Sequence, residues 1–120
     1  MIGKLASVVL DCPDPKALAA FYAAVLGGDL EDVEDDWVTL RAPDGVRLSF
    51  QLAPELREPQ WPDPERPQQF HIDVTVQDLD AAQEAVLALG AQLLEDDHGG
   101  KRSWRVFTDP ANHPFCLCAG

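Results

Sequence analysis

A chain of 120 residues, 46% hydrophobic and 25% charged, has the composition of one soluble globular domain with room for a core that needs no covalent staples. Its formal net charge of −12 repels phosphate backbones and argues against a nucleic-acid partner. No apolar run approaches the ~20 residues that span a bilayer, and "MIGKLASVVLDCP" is too short in its apolar part for a secretory signal. A cytoplasmic protein without a membrane partner is expected. Cys12, Cys116 and Cys118 form neither an even-numbered framework nor a CxxC pair, so free thiols are expected too.

The first predicted element is a strand in "SVVLDC". Alternation turns Val8 and Leu10 inward and leaves Ser7, Val9 and Asp11 on the other face. Asp14 then supplies an N-cap and Pro15 suits the first helical position. Leu18, Phe21, Tyr22, Val25 and Leu26 make one apolar helical stripe, which Gly27 closes. After a short strand near "DLEDV", the run "WVTLRAPDGVRLSFQ" reads strand, tight turn, strand, with Pro and Gly in the turn. In "RLSFQL", Leu48, Phe50 and Leu52 are assigned to the core, and Ser49 and Gln51 to the opposite face.

Next comes "APELREPQWPDPERPQQ", whose five prolines suit an extended, semi-rigid connector over about 54–69. Trp61 within it needs a covering surface, supplied by its own domain, a dimer mate or a stacked ligand.

The following "HIDVTVQDLDAAQEAVLALGAQL" repeats the opening pattern. Ile72, Val74 and Val76 share one strand face; His71, Asp73 and Thr75 share the other. Asp78 caps a second helix with a stripe of Leu79, Ala82, Val86 and Leu89, closed by Gly90. A strand near "QLLED" follows, then a glycine-bearing loop in "DDHGGK" that carries His98 as a solvated or lid residue. Finally "WRVFTDPANHPFCLC" aligns without gaps on the earlier strand–turn–strand: Trp104 on Trp37, Pro110 on Pro43, Cys116 on Ser49. Phe115 and Leu117 point one way, Cys116 and Cys118 the other, and His113 falls in a turn where it is expected to be solvated. Arg102 and Arg105 beside Trp104 are either an anion site or charge-paired, and so acidic a chain favours pairing.

The chain therefore contains one unit twice, modules of about 1–53 and 70–120 within a single domain. Such a tandem βαβββ repeat resembles the vicinal oxygen chelate superfamily, which includes glyoxalase I, extradiol dioxygenases and fosfomycin- and bleomycin-resistance proteins. The segments "WPDPERPQQFHIDV" and "DPANHPFCLC" resemble bacterial glyoxalase-like domains most. The resemblance implies an α+β fold, two βαβββ modules forming an incomplete, curled mixed sheet around a cleft. It also implies a homodimer, with modules paired within one chain or swapped between two.

In metal-binding members one residue at the start of each module's first strand and one on each last strand hold the ion. Carried over, these positions are Ser7, Ser49, His71 and Cys116, and only His71 is a usual ligand type. Together with strand alternation this gives a cleft lined by Ser7, Asp11, Ser49, Gln51, His71, Asp73, Thr75, Cys116 and Cys118, with Trp37 and Trp104 on its walls.

Serine hydroxyls are poor ligands beside imidazole or carboxylate, so no cofactor is expected. The alternative is one divalent ion on His71 and Cys116, helped by Asp73 or Gln51. Without an ion, His71 is a candidate acid/base group and Cys116 a candidate nucleophile. The plainer readings are a hydrogen-bonded structural histidine and a small buried thiol. The expected function is capture of an apolar or aromatic small molecule in a cleft lacking the usual metal site. The alternative is a metal-dependent or histidine-based lyase, isomerase or dioxygenase of the glyoxalase I class. An interaction domain with a decayed cleft is a third.

Overall fold

In the computed structural model, residues 3–55, 62–66 and 71–120 are described. Trp61 and much of the connector lie outside them. The chain forms two compact units, residues 1–56 and 57–120, each with one helix and one four-stranded sheet. Among the described residues no helix is long and apolar enough to cross a membrane.

The first unit runs β1 (Val8–Cys12), α1 (Pro15–Leu26), β2 (Asp29–Glu31), β3 (Trp37–Arg41) and β4 (Arg47–Leu52). Its sheet has the order β1-β4-β3-β2, parallel between β1 and β4 and antiparallel elsewhere. The expected cap forms: the Asp14 carboxylate accepts the Ala17 N–H at 3.1 Å, with Pro15 opening the helix. Leu18, Phe21 and Tyr22 are buried against Leu10, Val38, Leu40, Leu48 and Phe50. Tyr22 stacks on Phe50 at 5.7 Å, with Phe21 edge-on to it at 5.0 Å. Gly27 closes the helix at φ 76°. Gly28 is the more constrained of the pair: at φ 97° its Cα lies where any Cβ would strike the Arg41 carbonyl.

The second unit repeats this with β5 (Ile72–Val76), α2 (Leu79–Ala88), β6 (Gln92–Glu95), β7 (Trp104–Thr108) and β8 (Pro114–Ala119), in the order β5-β8-β7-β6. β5 is parallel to β8 and the remaining pairs are antiparallel. Asp78 caps α2 by accepting the Asp80 and Ala81 N–H groups at 3.0 and 3.1 Å. The core is built mainly by the sheet, where Phe107 and Phe115 stack at 5.6 Å above Val74 and Leu117.

Three expectations need correction. Of the α2 stripe only Val86 is buried, and Leu89 is 42% exposed. An alanine-rich helix brings no large side chain to the sheet, so the phenylalanines of β7 and β8 supply the core volume instead. Leu52, at the end of β4, is 38% exposed because the helix layer does not reach it. His113 is half-buried, since the turn is drawn in around Asp109, whose carboxylate accepts the Ala111 and His113 N–H groups at 2.8 and 3.0 Å.

Candidate functional site

Each sheet covers its helix with one face and turns a polar face away, and the predicted site residues divide between the two polar faces. In the second unit β5 begins at Ile72, so His71 stands just before the strand and Asp73 one step inside it on the same side. The His71 Nε2 lies 3.2 Å from Asp73 Oδ1. Parallel pairing sets Asp73 directly opposite Cys116 on β8, and Val106 of β7 flanks Cys116 from the other side.

Cys116 is thus enclosed by an apolar neighbour, a carboxylate and a second thiol. Burial, then the negative charge of Asp73 and the Cys118 thiol, push its pKa up to about 12. Burial and the same carboxylate raise Cys118 as well. Both groups are thiols at neutral pH, so a metal-free nucleophilic role for Cys116 lacks the thiolate it needs.

Could the same three residues hold a cation? One ligand atom each from His71, Asp73 and Cys116 lie within 4.8 Å of one another. Tetrahedral zinc with such ligands separates them by about 3.5 Å, so side-chain rotations of about 1 Å would close the set. Imidazole, carboxylate and sulfur together suit zinc or another borderline-soft ion, and suit magnesium or calcium poorly. The donor set fits.

Beside these residues is a hollow of about 290 Å³ lined by His71, Glu95, Arg102, Trp104, Val106, Pro114 and Cys116. A shallower one of about 200 Å³ shares His71, Trp104 and Cys116 and adds Asp73, Ser103 and Cys118. Trp104 is 41% exposed. The Arg102 guanidinium lies 4.8 Å from its ring centroid, donating to Glu95 at 3.0 Å and to the Asp96 carbonyl at 2.8 Å. Arg105 points to the other face of the sheet and donates to Gln83, Asp80 and Asp97 at 3.0, 2.8 and 3.2 Å. Its hydrogen bond holds the Asp97 carboxyl below the usual range. Both arginines are charge-paired, as the acidity of the chain implied.

The first unit brings Ser7 and Ser49 together. The buried Ser49 hydroxyl donates to Ser7 Oγ at 3.0 Å, and both line a separate hollow of about 260 Å³ with Trp37, Thr39, Glu31, Asp32 and Arg47. Asp11, Gln51 and Thr75 are exposed and lie outside the three hollows, Asp11 being paired with Gln51 at the far end of β1 and β4. Thr39, Glu95, Val106 and Pro114 are lining residues that the reading above did not single out. Thr39 and Val106 had a signal: each lies two positions after a tryptophan, on the same strand face.

A family profile described as a glyoxalase-like domain matches residues 7–118. No curated protein matches the sequence. Among solved structures, the fosfomycin resistance protein FosX of Listeria monocytogenes is similar with a TM-score of 0.73 and 22% identity, covering 100% of this chain and 95% of that one. A possible glyoxalase from Bacillus cereus gives 0.70 and 14%, covering 98% and 99%. A glyoxalase-related enzyme from Fulvimarina pelagi gives 0.69 and 18%, covering 99% and 89%. At these identities the likeness is one of fold.

Proposed function

The chain belongs to the glyoxalase-like domain family of the vicinal oxygen chelate superfamily, and from that premise we propose that it binds a small apolar or aromatic molecule in the hollow beside Trp104. The observation that carries this reading is the tryptophan itself. A large indole face, 41% exposed, stands in a concave site whose other apolar walls are Val106 and Pro114. Such a face gains by stacking, and the paired Arg102 leaves little net charge to demand an anion. One- and two-ring compounds suit a hollow of about 290 Å³. A cytoplasmic homodimer is part of the same reading, and sedimentation at micromolar concentration tests the dimer.

The test is titration with phenol, indole and 2-naphthol, followed by heat-unfolding shifts and by ligand-observed NMR. Saturable binding to the native chain that weakens at least tenfold in Trp104→Ala supports the reading. Absence of saturation with every probe, or equal binding by the variant, overturns it.

The donor triad favours a second reading, a metal-dependent enzyme of the glyoxalase I class. His71, Asp73 and Cys116 would hold a zinc-like ion, which when bound supplies a Lewis acid toward a substrate oxygen. Three protein ligands leave a coordination position for that oxygen. In this reading Trp104 and Val106 orient the apolar part of the substrate and Cys116 must surrender its proton on loading. Native mass spectrometry after zinc addition tests it: one zinc per chain, weakened in Cys116→Ser and lost in His71→Ala, is expected.

A further inference from the structure

The first unit carries a chain of hydrogen bonds with a definite direction. The Trp37 indole N–H, a donor only, gives its proton to Thr39 Oγ1 at 3.1 Å. Ser49 has one hydroxyl proton and spends it on Ser7 Oγ at 3.0 Å. The 2.9 Å contact between Thr39 Oγ1 and Ser49 Oγ must therefore use the threonine's proton. All three bonds run head to tail from Trp37 to Ser7.

Thr39 and Ser49 are 6% and 1% exposed, so water does not interrupt the chain, and aligned bonds of this kind polarise one another. The effect collects at Ser7. Its oxygen already accepts from Ser49, and among the described residues nothing accepts its own proton. Ser7 is half-buried and lines the hollow of about 260 Å³. What the first unit presents there is a strengthened hydrogen-bond donor.

The rim selects among acceptors. Glu31 and Asp32 put two carboxylates on the hollow. Glu31 is held between two arginines, Arg41 at 2.9 Å and Arg47, which also lines the hollow, at 3.9 Å. An anionic acceptor would meet Asp32 and would have to draw Arg47 away from Glu31. A cationic ligand would find no acceptor at the end of the chain, where a proton points outward. A neutral group with an acceptor oxygen beside a donor nitrogen satisfies both: its carbonyl accepts from Ser7 and its N–H donates to a rim carboxylate. We propose that this hollow is a binding site for a secondary amide, a lactam or related cyclic amide, held by the Trp37–Thr39–Ser49–Ser7 chain. The proposal uses only residues of the first unit and does not depend on the pocket beside Trp104.

The experiment is a two-dimensional NMR titration of the whole chain with δ-valerolactam, with acetate and piperidinium as anionic and cationic controls. The lactam is expected to shift the Ser7 and Ser49 amides and the Trp37 indole N–H together, saturably, the last because the chain transmits the contact. Ser7→Ala should weaken the lactam about fivefold or more, the loss expected for one strengthened hydrogen bond. Thr39→Val, which cuts the chain but keeps Ser7, should weaken it less and silence the Trp37 response. Well-dispersed spectra establish that both variants fold. Saturation by acetate or piperidinium in preference to the lactam, lactam affinity unchanged in Ser7→Ala, or no saturable shift in the native chain overturns the proposal.

Discussion

Asp73 and Cys116 face each other across the parallel β5–β8 pair, and the carboxylate keeps its neighbour a thiol. Burial is the larger cause and Asp73 the next, so Asp73→Asn should lower the pKa of Cys116 without restoring an ordinary cysteine. Thiolate absorbance near 240 nm, read against Cys116→Ser in each background, measures it. A Cys116 titration that Asp73→Asn leaves in place would refute the coupling.

The same shift makes stability depend on alkaline pH. The folded thiol titrates near 12, well above the ordinary cysteine value of 9.0. The folded state therefore keeps a proton that the unfolded state has lost. This contribution is fully present below about pH 9 and is lost as pH rises toward 12. Cys118 adds an effect of the same sign. Urea midpoints measured from pH 8 to 10.5 should fall, and should fall less steeply in Cys116→Ala. Equal slopes would mean that the thiol is not the group responsible.

Arg105 joins three parts of the second unit: the start of α2 through Asp80, its second turn through Gln83, and the 96–103 loop through Asp97. Its side chain is only 11% exposed, so Arg105→Ala removes a shielded cation and strands Asp97. A melting temperature lower by about 5 °C is expected. Because Asp97 titrates below its ordinary range in the folded chain, its contribution is present above that range and is lost as pH falls through the lowered value. Arg105→Ala should accordingly show a smaller loss of stability between pH 5 and 3 than the native chain does.

The unequal helices make a further test. Phe115 is fully buried on β8, and Phe115→Ala should cost about 3–5 kcal/mol. Leu89→Ala, at a site 42% exposed, should cost under about 1 kcal/mol although periodicity places both leucine and phenylalanine in the core. Chemical denaturation of the two variants checks the contrast.

That contrast also marks what could be read before any coordinates. The duplication was legible because each step carries its own local chemistry. Asp14 and Asp78 cap helices, Pro43 and Pro110 make turns, and Trp37 and Trp104 occupy the same register position, opposite Gln51 and Cys118. Strand alternation separates Ser49 from Leu48 and Phe50, and Cys116 from Phe115 and Leu117; Ser49 lines a hollow with Ser7, and Cys116 one with His71. The depth of α2 was not legible, since a helical stripe tells which side faces the sheet and not how much the sheet has left to cover. The protonation of Cys116 depends on a cross-strand carboxylate and on burial, both tertiary. The Arg102 pair depends on a loop in which His98, Gly99 and Gly100 all take positive φ, which no periodicity encodes.

Zinc loading, if the second reading holds, has a pH signature that separates it from adventitious binding. A thiol that titrates near 12 must lose its proton to become a ligand, so one proton leaves for every ion bound at any pH near neutrality. Apparent zinc affinity should then rise about tenfold for each pH unit from 7.5 to 9. Cys116→Ser should bind more weakly and lose most of that slope. Asp73→Asn has two opposed effects: it removes a ligand, and it makes the thiol easier to ionise. If Asp73 ligates the ion, the first effect dominates and affinity falls; if it acts only on the proton, affinity rises. Competition with a chromophoric chelator at three pH values distinguishes these outcomes. A pH-independent affinity that survives Cys116→Ser would place the ion on exposed acidic side chains instead, and would leave the hollow beside Trp104 as a metal-free binding site.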